Sequence, residues 1–300
     1  MNIVQSQARL QDHSLFFPGG KTGILLIHGL GGTPVELKVV AAGLQKEGFT
    51  VSCCKLAGHC GTEEDLIATG WRDWVASVEE ALSALSARCD TVLVGGLSMG
   101  AILALHAAAK YPEKISGLLL YAPTLWYDGF SVPWYAFLLK WLINTRAGQR
   151  YRFKEREPYG IKDERIRKFI IRAMGQGKSA EAGLATTPAP SLQQLWELVD
   201  VVKPQLSAIR TPALIVHARE DDISDLSNTI YLQRKLGGLV DTLVLDDSYH
   251  IVTIDRQRSL VVDRSAAFGR WIERLAQPAG QKPLPVSVQR QRAAMQGIAD

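Results

Sequence analysis

The chain has 300 residues, 47% of them hydrophobic, and a formal net charge of +4. That is enough apolar material for one large core or two small ones, and too small a charge imbalance to mark a nucleic-acid partner. The longest apolar stretches, such as GLLLYAP and AILALHAAA, fall well short of the roughly 20 residues a spanning helix needs, and the opening MNIVQSQARLQDHSLFFPGG lacks the basic start and long apolar run of a secretory signal, so a cytoplasmic protein is expected.

After an N-terminal segment, residues 1–22, GILLIHG (23–29) is a continuous apolar run ending in glycine, the pattern of a strand buried on both faces of a parallel sheet. TPVELKVVAAGLQKEG supplies the helix that should follow, with Thr33 as N-cap, Pro34 at the first helical position and Gly48 as the stop. TVSCCKL (50–56) reads as a strand, residues 71–87 as a helix, TVLVGGL (91–97) as a strand, MGAILALHAAAKY (99–111) as a helix and ISGLLLYAP (115–123) as a strand. Strand and helix alternating in this way imply βαβ units in a mostly parallel central sheet with helices on both faces.

The alternation stops at residue 124 and resumes near 191, so 124–190 is expected to be a mostly helical insertion between two halves of one core, 23–123 and 191–277. The second half begins with a helix at SLQQLWELVDVVKPQL. It continues through a strand at ALIVHAR (213–219), a helix around LSNTIYLQRKLGG, a strand at TLVLDD (242–247) and an amphipathic helix from 259 to about 276. Residues 278–300 show no hydrophobic period and are expected to be a flexible tail. The four cysteines, Cys53, Cys54, Cys60 and Cys89, show no Cys-x-x-Cys spacing, which suggests neither a disulfide framework nor a zinc site. No metal and no organic cofactor is expected.

Chemistry enters at GGLSMG. A Gly-x-Ser-x-Gly pattern alone is a weak signal, but here the serine sits at a turn directly after a central parallel strand, with a helix starting behind it, at the carboxyl edge where open α/β sheets place their ligand sites. Gly96 and Gly100 leave room for a strained turn that would project Ser98 Oγ into a cleft. A serine hydroxyl needs a base oriented by a carboxylate. Of six histidines, His250 alone follows the last strand, on a loop that ends at the same edge as Ser98. The acid should end the preceding strand, where LIVHAREDD offers Glu220, Asp221 and Asp222; Asp221 is the first choice and Asp222 the second. The glycines of HGLGGTP (28–34) would let the backbone N–H of Leu30 approach a reacting carbonyl opposite the N–H of Met99, a pair of oxyanion donors, while His28 is expected to be structural.

LIHGLGGTP, LAGHCGTEEDL, GLSMGA, VKPQLSAIRTPALIVHARED and SYHIVTID, in that order, closely resemble the bacterial carboxylesterase and monoacylglycerol lipase group of the α/β-hydrolase superfamily, over residues 20 to 275 apart from the insertion. The resemblance implies the α/β-hydrolase fold with a cap. It also implies ester hydrolysis through an acyl-enzyme, with Ser98 as nucleophile, His250 as base then acid, Asp221 as its orienter, and Leu30 and Met99 as oxyanion donors. The substrate would be a small acyl ester. Two departures stand out: Cys60 follows His59 where the group commonly has glycine, and no proline follows the acid in DDISDLSN. An acyl-coenzyme A thioesterase using the same residues is the alternative, and a binding protein with a relic triad a distant third.

The insertion would lie over Ser98 as a cap. Its aromatic first half would wall an acyl pocket or pack the cap onto the core. Between residues 125 and 185 there are 12 Lys or Arg against 6 Asp or Glu, so the basic cap would either attract an anionic surface or substrate or form a solvated helix face.

Overall fold

The computed structural model describes residues 13–132, 143 and 145–276. The strands are β1 (Leu15–Phe17), β2 (Thr22–Ile27), β3 (Thr50–Cys54), β4 (Thr91–Leu97), β5 (Gly117–Tyr121), β6 (Arg152–Lys154), β7 (Thr186–Pro188), β8 (Ala213–Ala218) and β9 (Val240–Leu245). The α-helices among the described residues are α1 (Lys38–Lys46), α2 (Glu63–Ile67), α3 (Trp71–Ser86), α4 (Met99–Lys110), α5 (Glu164–Gly175), α6 (Ser179–Ala182), α7 (Ala189–Val202), α8 (Ser227–Lys235) and α9 (Arg258–Ala276).

Seven strands form one sheet in the order β1-β3-β2-β4-β5-β8-β9, parallel throughout except for β1, which pairs antiparallel with β3 at the edge. The inner strands β2, β5 and β8 are buried at every position, which is why their sequences read as nearly continuous apolar runs, interrupted in β8 by His217. One face of the sheet packs against α3, α4 and α7 through residues such as Trp74, Ile102 and Leu195; the other packs against α1 and α9 through Val40, Leu44, Phe268 and Ile272. The expected α/β-hydrolase architecture, a mostly parallel sheet with helices on both faces, is therefore present.

Boundaries agree to within a few residues, and the differences have local causes. The first predicted helix is split: Thr33 and Glu36 form a capping box around a 3-10 turn, Pro34–Leu37, before α1 begins, and Gly48 ends the region at φ +98°. Residues 15–17 and 22, expected in an N-terminal segment, pair in the sheet. Thr22 is simply the first residue of β2, whereas the three-residue β1 is too short for an alternation to register in the sequence. The described part of the stretch between β5 and α7 is not helical throughout. It holds α5 and α6 but also β6 and β7, which form an antiparallel pair joining Arg152 to Pro188 and Lys154 to Thr186. Much of its aromatic first half, residues 133–142 and 144, lies outside the described residues, as do residue 277 and the whole expected tail, 278–300. No described helix is long and apolar enough to cross a membrane.

This segment is tied to the core from several sides. Arg152 pairs with Glu63 of α2 at 2.8 Å, and the Thr186 hydroxyl donates to the same Glu63 carboxylate. Leu184 N–H donates to Gly31 O at 2.9 Å, and Ile251 N–H to Gly160 O at 2.8 Å. Asp255, fully buried, accepts N–H bonds from Lys162 and Asp163 at 2.9 and 2.8 Å and from Tyr249 at 2.7 Å.

Candidate active site

Ser98 sits between β4 and α4 at φ 57°, ψ −115°, a conformation that costs a non-glycine residue roughly 1–3 kcal/mol. The surroundings impose it. A Cβ on Gly100 would lie 2.0 Å from Ile27 O, and one on Gly96 2.5 Å from both Ile27 O and the Gly100 carbonyl carbon, so strand, turn and helix meet at a distance that only glycine permits. Behind the turn, α4 is buried on almost all sides, including Ile102, Leu103 and Leu105 at 1% exposure or less. Each such side chain contributes about 1.5–3 kcal/mol on burial, more than enough to offset the strain at Ser98.

His250 and Asp221 meet directly. His250 Nδ1–H donates to Asp221 Oδ2 at 2.8 Å and Oδ1 at 3.0 Å, which leaves Nε2 with the lone pair. Asp221 Oδ1 also accepts the N–H groups of Ile223 and Ser224, both at 2.8 Å. Burial alone would raise the Asp221 pKa, but the neighbouring His250 and the hydrogen bonds from His217 and His250 outweigh it and hold the carboxyl well below the usual range. For His250, burial favours the neutral ring. The carboxylates of Asp221, Asp222 and Glu36 prevail, and the pKa is raised above 6.5.

Asp222 turns the other way. Its Oδ2 accepts Gly160 N–H at 3.0 Å and its Oδ1 accepts the backbone N–H of His250 at 3.3 Å, so it braces the main chain of the histidine loop and never reaches the ring. Burial raises its pKa first, against the partial relief of His250.

Leu30 lies on the turn after β2, where a Cβ on Gly29 would come 3.6 Å from Ser98 Cβ. Met99 is the first residue of α4, whose N–H has no acceptor within the helix. His28 is fully buried. Its Nδ1–H donates to Gly29 O at 2.9 Å and its Nε2 accepts Leu56 N–H at 3.2 Å, the structural part expected of it. Ser98, Leu30 and His250 open onto one cavity of about 1280 Å³, walled by apolar side chains including Trp126, Phe153, Ile170, Met174, Leu192 and Trp196.

Several residues at this site were not singled out in the sequence. Ser98 Oγ is hydrogen-bonded to Thr124 Oγ1 at 3.1 Å and not to His250. Thr124 Oγ1 reaches Ser224 Oγ at 3.2 Å, and Ser224 Oγ lies 3.5 Å from His250 Nδ1, so a hydroxyl relay runs beside the histidine. His217, on the core strand β8, sets its Nε2 3.2 Å from Asp221 Oδ2 and 2.7 Å from Ser224 O, with Thr229 Oγ1 at 2.7 Å from Nδ1. The only local signal for His217 was a histidine inside an otherwise apolar strand, four residues before an aspartate. Nothing near Thr124 in the sequence marks it.

The family model described as Serine aminopeptidase, S33 matches residues 20–257. The chain belongs to that family. Within it, the chain is 31% identical over 250 residues to a thermostable monoacylglycerol lipase of Bacillus sp. (strain H-257), covering 83% of this chain and 90% of that one. It is 25% identical over 251 residues to a carboxylesterase of Bacillus subtilis (strain 168), covering 82% and 91%. Among solved structures, one reported for the two metagenome-derived lipolytic enzymes LipS and LipT superposes with a TM-score of 0.73 at 28% identity, over 86% of this chain and 97% of that one. The fold is also that of a soluble variant of the monoglyceride lipase of Saccharomyces cerevisiae, with a TM-score of 0.72 at 15% identity, over 88% and 92%. The resemblance read from the five motifs is thereby borne out at the level of family and fold.

Proposed function

We propose that this protein hydrolyses carboxylic esters bearing an acyl chain, of the monoacylglycerol or simple carboxylester kind. The observation that carries this reading is the Asp221–His250 contact of 2.8 Å at the wall of an apolar cavity of about 1280 Å³ that also receives the strained Ser98. A rotation of Ser98 about χ1, away from Thr124, brings Oγ toward His250 Nε2. Oγ then attacks the ester carbonyl carbon while Nε2 takes its proton. The N–H groups of Leu30 and Met99 receive the charge that develops on the carbonyl oxygen. Collapse of the tetrahedral species breaks the bond to the alcohol oxygen, which leaves with the proton from His250. Water, activated by the same Nε2, then releases the acid and restores Ser98. Asp221 holds the ring in the Nδ1–H tautomer throughout.

In this reading residues 124–190 form a cap that contributes the acyl-chain walls, and the enzyme serves lipid turnover inside the cell. The exposed face of α5 carries Arg165, Lys168 and Arg172, with Lys168 only 3.9 Å from Glu164, and its positive field suits an anionic surface.

The test is a comparison of turnover on monoacylglycerols of graded chain length, p-nitrophenyl esters and acyl-coenzyme A, together with fluorophosphonate labelling. Esters should be preferred, and labelling should vanish in Ser98→Ala. A preference for the thioester would replace this reading with the thioesterase one. An unlabelled wild type would leave a binding protein.

A further inference from the structure

Glu36 has no part in the chemistry above, yet its carboxyl sits inside the turn that carries Leu30. The chain reverses between Gly29 and Thr33, with Gly31 at φ +69°. Both ends of that turn donate to the one carboxyl: Gly29 N–H to Oε2 at 3.4 Å and Thr33 N–H to Oε1 at 3.3 Å. The turn is wrapped around it so closely that a Cβ on Gly32 would lie 2.0 Å from Oε1. Reciprocal capping of the 3-10 turn accounts for the Thr33 bond alone. The Gly29 bond lies outside that motif, at the residue preceding Leu30 and beside Ser98. From the opposite side, Leu184 N–H fixes Gly31 O at 2.9 Å, so the turn that carries Leu30 is held at three points. Glu36 also lines the cavity shared by Ser98 and His250.

We propose that Glu36 is a positioning residue for ester hydrolysis, whose carboxyl clamps the Gly29–Thr33 turn so that the Leu30 N–H is aimed at the oxyanion. The inference rests on the ester-hydrolase reading. The titratable groups that face Glu36 are His250, Glu155 and the Cys60 thiol. Burial pushes the Glu36 carboxyl up to about 7, against the Gly29 and Thr33 N–H groups and His250, which favour the anion, and with Glu155, which opposes it. The anion accepts both N–H bonds, whereas the acid keeps one good acceptor oxygen. The clamp therefore tightens as pH rises through 7. The imidazolium that forms at His250 as the ester is attacked favours the tight form further.

The experiment compares wild type with Glu36→Gln and Glu36→Ala. It measures kcat and KM on a p-nitrophenyl ester from pH 5 to 9, inhibition by a trifluoromethyl ketone that forms a tetrahedral adduct, and thermal unfolding. A misaimed oxyanion donor should lower kcat about 10- to 100-fold in Glu36→Gln, since losing such a donor outright costs about 10²–10³-fold. KM should stay within about threefold, and affinity for the ketone should fall by the same factor as kcat/KM. The acid limb of kcat/KM, two ionisations in wild type, should reduce to the single one of His250. The inference is overturned if Glu36→Gln keeps kcat within twofold and an unchanged pH profile. It is equally overturned if kcat, KM and melting temperature deteriorate together, the mark of a purely structural residue. Should Glu36→Ala fail to fold, the isosteric glutamine decides. A labelled, active wild type with an unaffected Glu36→Gln brings down this inference alone; a wild type that neither labels nor turns over ester brings down the hydrolase reading and this inference with it.

Discussion

Replacing Asp221 with asparagine tests the division of labour between two adjacent carboxylates. Oδ1 of Asp221 receives two backbone N–H groups, from Ile223 and Ser224, each at 2.8 Å. An asparagine must keep its oxygen there, because an amide nitrogen would face two donors. Its NH₂ group is then forced into the place of Oδ2, which lies 2.8 Å from His250 Nδ1 and 3.2 Å from His217 Nε2. An N–H pointed at Nδ1 pins the imidazole proton on Nε2, and the nitrogen needed to deprotonate Ser98 becomes a donor. In a triad that tautomer lowers kcat by about 10⁴-fold, or about 5.5 kcal/mol at roughly 1.4 kcal/mol per decade. Asp222→Asn leaves the ring untouched. It replaces one of two acceptors for Gly160 and His250 backbone N–H groups, at 3.0 and 3.3 Å, which should cost about 1–3 kcal/mol of stability and less than about tenfold in kcat. The assay is kcat on a soluble p-nitrophenyl ester near pH 8, with melting temperatures measured in parallel. The two variants should differ by about 10³-fold. A ratio below ten, or a reversed one, would refute the assignment of the ring to Asp221.

Because the His250 pKa is raised above 6.5 and only the neutral ring accepts a proton, kcat/KM should rise with pH through an ionisation above 6.5; Asp222→Asn removes one of the charges holding it up and should move that limb to lower pH, read from the same profiles. Gly100→Ala would place a Cβ 2.0 Å from Ile27 O, between the backbones of β2 and α4, and should destabilise the protein by about 3 kcal/mol or more, a drop of roughly 6–12 °C in Tm by differential scanning calorimetry. Asp255→Asn strips an acceptor from the buried carboxylate shared by Lys162, Asp163 and Tyr249, so about 2–3 kcal/mol should be lost in urea unfolding and the 158–163 loop should gain protease sensitivity. Burial raises the Glu36 pKa in the folded protein to about 7 from its ordinary 4.5, so its contribution to stability is fully present below about 4.5 and is lost as pH rises through 7; the fall in Tm between pH 5 and 8.5 should shrink in Glu36→Gln.

The sequence by itself determined the strand and helix order and the place of the Ser98 turn, because these rest on local regularities. An apolar run such as GILLI ending in glycine fits a strand buried on both faces of a sheet, and glycines two positions either side of a serine at a strand's end leave room for a tight turn into the following helix. It also placed His250 and the Glu220–Asp222 run at the right edge of the sheet, since parallel strands end their loops on one side. What it left open was set by contacts distant in sequence. Asp221 and Asp222 are chemically alike and adjacent, and only the path of the loop after β8 turns one toward the imidazole and the other toward the backbone of residue 250. Thr124, Ser224 and His217 join the site from three loops or strands that share no pattern with Ser98. The short strands β1, β6 and β7, three residues each, form because a partner is there to receive their hydrogen bonds. Local propensity is written residue by residue, whereas pairing and side-chain direction depend on which segments the core has already brought within about 3 Å of one another.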